Sequence, residues 1–304
     1  MPVPPTIIGD DTLAEWLISG GDDRLDCDPA TGLNMYGYGP RPKPKDFAFS
    51  SSTASTISAA AFAHVENDHA RLTQALESQS PADLYAQEMA KTRSSLLHLI
   101  GLGADAGLPG VDAIMAASGT DIHLFAAMLL AQQDQRTLMT ITLKGSETGS
   151  GVMAAAAGRH FMGRVSSGRS VAKGEQLSAD RGMRHMSIDV RTADGSLRTE
   201  EDVERELRGE IELVRAAGMR CLLVVTDVSK TGLIAPSLET ALRLKAHFGS
   251  MLDILVDACQ FRVSTATIRA YLEREFLVAV TGSKFLAGPI FCGALLCPSG
   301  LSQR

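Results

Sequence analysis

A lysine and an aspartate, each beside apolar segments, are the residues of this sequence best suited to chemistry. Lys284 lies in the segment Thr-Gly-Ser-Lys-Phe (281–285), between two apolar segments typical of core strands. An ammonium group there is either solvated in a loop or desolvated enough to serve as a nucleophile. Asp257 ends another apolar segment, and burying an unpaired carboxylate is costly. Asp257 is therefore well placed to meet a cationic group of a ligand.

The segment Ser118-Gly119-Thr120-Asp121 has the residue types of an anion site. Two hydroxyl groups, a glycine that permits close backbone approach and the positive end of a following helix would together bind a phosphate group. The same residue types also form an ordinary helix N-cap. The sequence leaves both interpretations open.

Other motifs are weaker. Residues 101–106 fit the G-x-G-x-x-A dinucleotide pattern, but a helical segment precedes them where that pattern needs a strand, which favours a helix end and loop. The glycine-rich loop 145–151 lacks the G-K-[ST] of a P-loop and is either a ligand-contacting loop or a plain flexible one. The histidines lack metal-binding spacing, so we expect structural roles for them and predict no metal site.

From residue 110 onward, short apolar segments alternate with helical ones. This alternation predicts an α/β fold, a three-layer sandwich around a mostly parallel sheet of about seven strands. The predicted strands are 113–116, 137–143, 186–190, 221–226, 254–256, 276–280 and 291–296. Helices are predicted over 57–76 and 81–102, and a capping box at Thr199 predicts another that ends near Gly218. Ligands of such sheets bind at the carboxyl ends of the strands, so the chemistry is expected in the loops that follow them.

Composition and charge argue against several classes of protein. The 304 residues are 45% hydrophobic and 21% charged, as in ordinary globular proteins, and the net charge of -6 argues against nucleic-acid binding. The N-terminus lacks the features of a signal peptide, and Lys284 and Pro289 interrupt the most apolar late stretch, so no membrane segment is predicted. Five cysteines without C-x-x-C spacing indicate no disulfide framework, and we expect a cytoplasmic protein.

Taken in order, these segments resemble fold type I pyridoxal-phosphate enzymes, in particular the class V aminotransferase and cysteine desulfurase group. The matching segments are 118–121, Asp-Ala-Cys-Gln at 257–260, and 281–285 followed by Gly288-Pro289 and Gly293-Ala294-Leu295. Residues 228–232 are similar to the S-N-x-T-G loop of the family. The resemblance covers roughly residues 45–297.

The resemblance implies a role for each matched residue. Lys284 would hold the aldehyde of pyridoxal 5'-phosphate as a Schiff base and would then serve as general acid or base. Asp257 would pair with the protonated pyridine nitrogen, and Gln260 would hydrogen-bond the 3-hydroxyl side of the ring. The phosphate would be bound by the 118–121 turn and the start of the lysine loop, through Ser118, Gly119, Thr120 and Thr281.

The sequence departs from the family pattern at three places. Ser229 or Lys230 stands where the S-N-x-T-G loop usually has Asn. No His follows the strand that ends at Leu143, so Glu147 or Thr148 would have to cover the face of the ring. In this family a small domain normally follows the last strand, and it often carries the arginine that binds the substrate carboxylate, so the resemblance leads us to expect that this part is missing from the sequence.

The predicted organisation is an N-terminal arm (1–56), a large cofactor-binding domain (57–298) and a truncated tail (299–304). The predicted function is that of an aminotransferase or a C–S or α,β-eliminating lyase that acts on an amino acid or amine through Lys284. Desulfuration is less favoured, because the late cysteines lie in or beside core strands or next to Asp257. The resemblance also implies a homodimer. A truncated or non-catalytic protein of this fold and an NAD-dependent oxidoreductase remain alternatives.

Overall fold

The computed structural model of the chain describes residues 12–46, 55–103, 110–133, 135–145, 147–177 and 182–302. Several sequence predictions fall partly outside these ranges. They concern the arm at 1–11 and 47–54, the dinucleotide-like motif at 104–106, Ser146 in the glycine-rich loop, and the tail at 303–304.

Seven strands form one sheet with the spatial order β1-β7-β6-β5-β4-β2-β3. They are β1 (Asp112–Ala116), β2 (Leu138–Leu143), β3 (Met183–Ile188), β4 (Arg220–Thr226), β5 (Leu252–Asp257), β6 (Leu277–Thr281) and β7 (Gly293–Cys297). β7 pairs antiparallel with β1 and β6, and the remaining pairs are parallel. The predicted α/β fold with a mostly parallel sheet of seven strands is confirmed.

The edge strand β3 differs most from its predicted bounds, because it begins three residues before the predicted start at 186. Its first half contains Arg184, which is exposed, and His185, which is half-buried. A strand at the edge of a sheet keeps polar side chains in water, so an apolar-segment criterion misses that half.

Helices cover both faces of the sheet. They are α1 (Thr12–Leu17), α2 (Ala59–Ala75), α3 (Pro81–Leu99), α4 (Gly119–Ala131), α5 (Val152–Ala156), α6 (Glu200–Ala216), α7 (Leu238–Phe248), α8 (Thr265–Leu272) and α9 (Ser299–Ser302). α4 packs on one face, against side chains such as Leu222 and Leu255. α6, α7 and α8 pack on the other face. Within the described ranges, no helix is both long and apolar enough to cross a membrane.

Helix α6 shows how the sequence dictates such an element. The Thr199 hydroxyl accepts a hydrogen bond from the Asp202 backbone N–H at 3.2 Å, which starts the helix. One face then buries side chains spaced three or four residues apart, namely Val203, Leu207, Ile211 and Val214. Burial of each aliphatic side chain contributes up to about 1.5–3 kcal/mol, so this face attaches the helix firmly to the sheet.

Helix α3 ends at Leu99, two residues before Gly101, which has φ of +73°. A glycine stops a helix at such a position because only glycine adopts this conformation without strain. The helix directly precedes residues 101–103, so the strand that a dinucleotide pattern requires is not there.

The six strands β1 to β6 run in the same direction and end at one edge of the sheet. The loops after β1, β2, β4 and β6 carry Ser118, Glu147, Ser229 and Lys284, and Asp257 is the last residue of β5. The topology therefore brings residues from the whole length of the sequence to one place.

Candidate active site

An open cleft of about 660 Å³ lies at this edge of the sheet. Nine of the ten predicted site residues line it, namely Ser118, Gly119, Thr120, Glu147, Thr148, Ser229, Asp257, Gln260 and Lys284. The tenth, Thr281, is buried beneath the cleft, and its hydroxyl donates a hydrogen bond to the Cys259 carbonyl oxygen at 2.6 Å. The phosphate contact of Thr281 therefore stays a prediction, and Ser283 lines the cleft at this end of the loop.

Asp257, at the end of β5, is held by two hydrogen bonds. One carboxylate oxygen lies 3.0 Å from His123 Nε2, and the other accepts from the Cys259 backbone N–H at 3.1 Å. Burial alone would raise the pKa of Asp257, but the hydrogen bond and positive potential of His123, with the nearby charge of Lys284, hold it well below its usual range. The carboxylate is thus ionised, as the partner of a cationic group must be.

His123 is a site residue that the sequence analysis missed. It lies on α4, one turn after Gly119, and its side chain is only 2% exposed. Its Nδ1 has no hydrogen-bond partner in the described part of the chain, so Asp257 is its principal polar contact. The only signal in the sequence was a lone polar residue inside the apolar run of α4. Such a residue is more often structural, and the sequence gives no sign that it faces β5.

The 118–121 turn is both a helix cap and a wall of the cleft. Ser118 Oγ caps α4 by accepting from the Asp121 backbone N–H at 3.4 Å, and it donates to the Asp121 carboxylate at 2.5 Å. A Cβ placed on Gly119 would lie 3.0 Å from Cys259 Sγ, so glycine allows the turn to pack against the loop that follows Asp257. The N-cap interpretation is confirmed, and it is compatible with anion binding at the same helix end.

Arg24 from the N-terminal arm is the second residue that the sequence analysis missed. Its buried guanidinium donates hydrogen bonds to Ser118 Oγ at 2.9 Å and to Thr120 Oγ1 at 3.2 Å. The arm therefore delivers a cation to the same turn. Nothing in the sequence near Arg24 indicates this contact, because its partners lie more than ninety residues away.

Glu147 joins the loop after β2 to the loop after β4. One of its carboxylate oxygens accepts from Arg191 Nε at 2.9 Å, and the other accepts from Ser229 Oγ at 2.6 Å and Thr231 Oγ1 at 2.7 Å. Burial would raise the pKa of Glu147, but these hydrogen bonds lower it. Both oxygens are thus engaged by protein groups. Thr148, by contrast, has a buried hydroxyl without a partner among the described residues.

Two lysines share the cleft. Lys284 is half-buried there, and Lys230 reaches the cleft from the loop after β4. Burial and the neighbouring charge of Lys284 lower the pKa of Lys230, and Glu147 opposes this effect. Any assignment of a nucleophilic amine to this cleft must therefore distinguish these two residues.

Burial raises the pKa of the thiols of three late cysteines. It raises the pKa of Cys292 to about 11, and that of Cys297, which pairs with Asp112 at the other edge of the sheet, to about 12. It raises the pKa of Cys259, which lines the cleft, well above its usual range. Since the thiolate is the nucleophilic form, these cysteines are poorly suited to attack a substrate.

No protein-family model and no curated protein sequence matches the chain. Solved structures do match it. TDC from Oryza sativa with PLP and tryptamine matches with a TM-score of 0.53 and 15% identity over 83% of the chain. A second match is the glutamate decarboxylase domain of diaminobutyrate-pyruvate transaminase and L-2,4-diaminobutyrate decarboxylase from Vibrio parahaemolyticus. Its TM-score is 0.51, with 18% identity over 83% of the chain. A third is a putative histidinol-phosphate aminotransferase from Erwinia carotovora atroseptica, with a TM-score of 0.50 and 13% identity over 83% of the chain.

The chain has the large-domain fold of fold type I pyridoxal-phosphate enzymes. It spans 52% of the rice and Vibrio structures and 61% of the Erwinia structure. At these identities the likeness establishes the fold, and the chemistry must be argued from the cleft itself.

Proposed function

We propose that the protein is a pyridoxal-phosphate-dependent enzyme that acts on an amino acid or amine, with Lys284 as the residue that binds the cofactor covalently. The observation that carries this proposal is the meeting of three groups in one cleft. They are an amine at Lys284, a carboxylate at Asp257 that is kept ionised, and a hydroxyl-bearing helix N-terminus at 118–121. Each comes from the end of a different strand.

The residues present fit this cofactor. The buried hydroxyls of Thr148 and Thr226 line the cleft without partners in the described part of the chain, so polar groups are available to a ligand there. Buried polar groups normally have a hydrogen-bond partner, which a ligand would supply. The cofactor has an anionic phosphate, a basic ring nitrogen and a hydroxyl group, which suit the 118–120 turn, Asp257 and Gln260 respectively.

The residues of the chain then have distinct tasks. Asp257 would hold the proton at the ring nitrogen of the cofactor, and His123 keeps the Asp257 carboxylate ionised and oriented. When bound, the cofactor supplies an electron sink for charge that develops at the substrate α-carbon. Lys284 Nζ would be the group that holds the cofactor, and as a free amine it would be the base or acid that moves the proton at the substrate α-carbon.

For the reaction class, we propose transamination or α,β-elimination, including C–S elimination, ahead of desulfuration. A desulfurase needs a nucleophilic thiolate, and burial raises the pKa of Cys259 and Cys292 at this site. We also propose membership of the class V aminotransferase group. This proposal is supported by the four segments at 118–121, 228–232, 257–260 and 281–285 in order.

We extend the proposal to the organisation of the molecule. It has an arm (1–56), a large cofactor domain (57–298) and a short tail (299–304), and it acts as a homodimer. We also propose a cytoplasmic location, which the five unpaired thiols support. Gel filtration of the purified protein tests the dimer independently of activity.

The test of covalent attachment uses purified protein titrated with pyridoxal phosphate, reduced with borohydride and mapped by peptide mass spectrometry. On titration we expect an absorbance band to develop near the boundary between the ultraviolet and the visible range. After reduction we expect a stable adduct on Lys284. Lys284→Ala should abolish that adduct, and Lys230→Ala, the matched control in the same cleft, should retain it. An adduct that persists in Lys284→Ala, or that maps to Lys230, contradicts the assignment.

A panel of amino acids and amines then tests turnover. Keto-acid formation from an amino donor indicates transamination, and release of ammonia with a keto acid, or of sulfide or thiol, indicates elimination. Tight binding of the cofactor on Lys284 without turnover of any amino acid or amine would instead support a non-catalytic protein of this fold.

A further inference from the structure

We propose that Arg24 of the N-terminal arm is a ligand of the phosphate group at the 118–120 turn. This inference rests on the proposed function, since the phosphate is that of the cofactor. It assigns to the arm a part in binding the cofactor.

The contacts of Arg24 place its donors at the turn. Asp22 takes one edge of the guanidinium, through Nε–Oδ1 at 2.8 Å and Nη2–Oδ2 at 2.6 Å. Nη2 and Nη1 also donate to Ser118 Oγ and Thr120 Oγ1. These two hydroxyls are the side-chain groups that the turn offers to an anion. Since Asp22 takes the Nε edge, the Nη1 side of the planar guanidinium is the part that faces the turn, and arginine donates strong charge-assisted hydrogen bonds to phosphate oxygens.

Two aromatic rings fix the plane of the guanidinium. The Arg24 Cζ lies 5.0 Å from the ring centroid of Phe161 and 4.5 Å from that of Phe291. Arg24 is only 7% exposed. A guanidinium held in this way loses little further freedom when a ligand binds, and its charge is weakly screened by water.

A second observation points independently to a ligand in this cleft. The Thr148 hydroxyl is 3% exposed, lines the same cleft as Arg24 and Ser118, and has no partner among the described residues. A buried hydroxyl without a partner is costly, so it marks a place where a polar ligand belongs. The α4 N-terminus, Arg24 and Thr148 thus line one cleft, in which the turn and Arg24 favour an anion and Thr148 offers this hydroxyl.

Two carboxyl groups lie beside the Arg24 guanidinium and determine which side of it a phosphate can reach. Asp22 pairs closely with Arg24, and Asp121 lies at 3.7 Å from Arg24 Nη2. Burial raises the pKa of Asp121, although the hydrogen bond from Ser118 and the charge of Arg24 oppose this effect. Asp22 already takes the Nε edge of the guanidinium, so a phosphate would meet Arg24 on its Nη1 side, where Thr120 Oγ1 lies.

The test compares two ligands that differ only in the phosphate group, pyridoxal phosphate and pyridoxal. Arg24→Met should weaken the affinity for pyridoxal phosphate about 10- to 100-fold, as expected for the loss of a charge-assisted hydrogen bond. The affinity for pyridoxal should stay unchanged. Arg24→Lys, which keeps the charge without the fork, should give a smaller loss confined to pyridoxal phosphate. The affinities are measured by absorbance titration.

Arg164→Met is the matched control, because it removes an arginine contact with the arm without removing a residue of the cleft. Arg164 makes another charged contact with this arm, donating to the Asp26 carboxylate at 2.5 and 3.1 Å, and it is not among the residues that line the cleft. We expect Arg164→Met to bind pyridoxal phosphate and pyridoxal with the affinities of the wild type. Equal weakening of both ligands in Arg24→Met, or no weakening of either, overturns the proposal. If Arg24→Met does not fold, Arg24→Lys is used instead. A loss of affinity confined to pyridoxal phosphate then supports the proposal, and an equal loss for both ligands, or none, overturns it.

The two proposals fail in different ways. If wild-type protein forms no borohydride-stable adduct on Lys284, the proposed function fails. The anion site is then tested alone with inorganic phosphate, which should raise the melting temperature of the wild type and of Arg164→Met but not of Arg24→Met. A melting temperature that phosphate leaves unchanged in the wild type, or raises equally in Arg24→Met, overturns the role of Arg24.

Discussion

Replacing His123 by leucine is the most direct test of how the Asp257 carboxylate is kept ionised. His123 is 2% exposed and Asp257 is 14% exposed, and their Nε2 and Oδ2 atoms are 3.0 Å apart. After the change, the Cys259 backbone N–H is the remaining close hydrogen-bond donor to the carboxylate. The substitution thus leaves a largely buried charge without its main partner.

The size of the effect follows from this geometry. Removing one partner of a buried charged pair costs about 3–5 kcal/mol, and the upper part of that range applies when no other group compensates. Here the Cys259 N–H and the charge of Lys284 remain, so we expect a loss of about 2–4 kcal/mol in the free energy of unfolding at pH 7. Since the volume of leucine is close to that of histidine, little of this loss comes from packing.

The pH dependence separates electrostatics from packing. In the wild type, the pKa of Asp257 lies below its unfolded value of 3.8, so the pair stabilises the protein above that pH. In His123→Leu, burial dominates and the folded pKa rises above the unfolded value. A carboxyl group with a raised pKa lowers stability at neutral pH, and this loss is recovered as the pH falls. The difference in free energy of unfolding between the wild type and His123→Leu should therefore become smaller from pH 7 to pH 4.5.

The assay is urea unfolding of cofactor-free protein at both pH values, with His123→Gln as the conservative control. Glutamine can place an amide N–H near the position of Nε2 and should recover more than half of the lost stability. The reasoning is refuted if His123→Leu loses less than about 1 kcal/mol, the net value of an ordinary hydrogen bond. The reasoning is also refuted if the difference in free energy of unfolding between the two proteins stays constant with pH.

Two further predictions concern groups around the cleft. Burial, and secondarily His123, lowers the pKa of His185 from 6.5 to about 4. Wild-type stability relative to His185→Gln should therefore fall between pH 6.5 and 4 in urea titrations, by less than roughly 3 kcal/mol because the ring is only half-buried. A Cβ on Gly282 would lie 2.8 Å from Cys292 Sγ, so Gly282→Ala should cost about 1–3 kcal/mol in thermal unfolding, and adding Cys292→Ala should restore most of it.

Local patterns were sufficient to predict the framework of the site. Apolar segments alternating with helices predicted all seven strands, since each strand is buried on both faces or on one. Because parallel strands end at one edge, the loops bearing Ser118, Asp257 and Lys284 had to meet there. None of these inferences requires knowing which side chains touch across the sheet.

The residues that the sequence analysis missed depend on contacts between distant segments. His123 and Asp257 are 134 residues apart, and Arg24 lies 94 residues from Ser118. Glu147 shows the same limit, because it was predicted to cover a ring face and its carboxylate instead binds side chains from two other loops. Whether it also contacts a ring stays a prediction. Such partnerships arise from tertiary packing, which a single sequence does not encode as a local pattern.

The distribution of charge in the cleft narrows the choice of ligand. One part of the cleft offers Arg24 and the N-terminus of α4, which favour an anion, and another offers the ionised Asp257, which favours a cation. An NAD-type dinucleotide also has anionic phosphates, but it requires a strand before residues 101–103, where α3 is found. A small molecule with a phosphate, a protonatable ring nitrogen and an aldehyde satisfies Arg24, Asp257 and Lys284 together, which is why pyridoxal phosphate fits this cleft better than a dinucleotide.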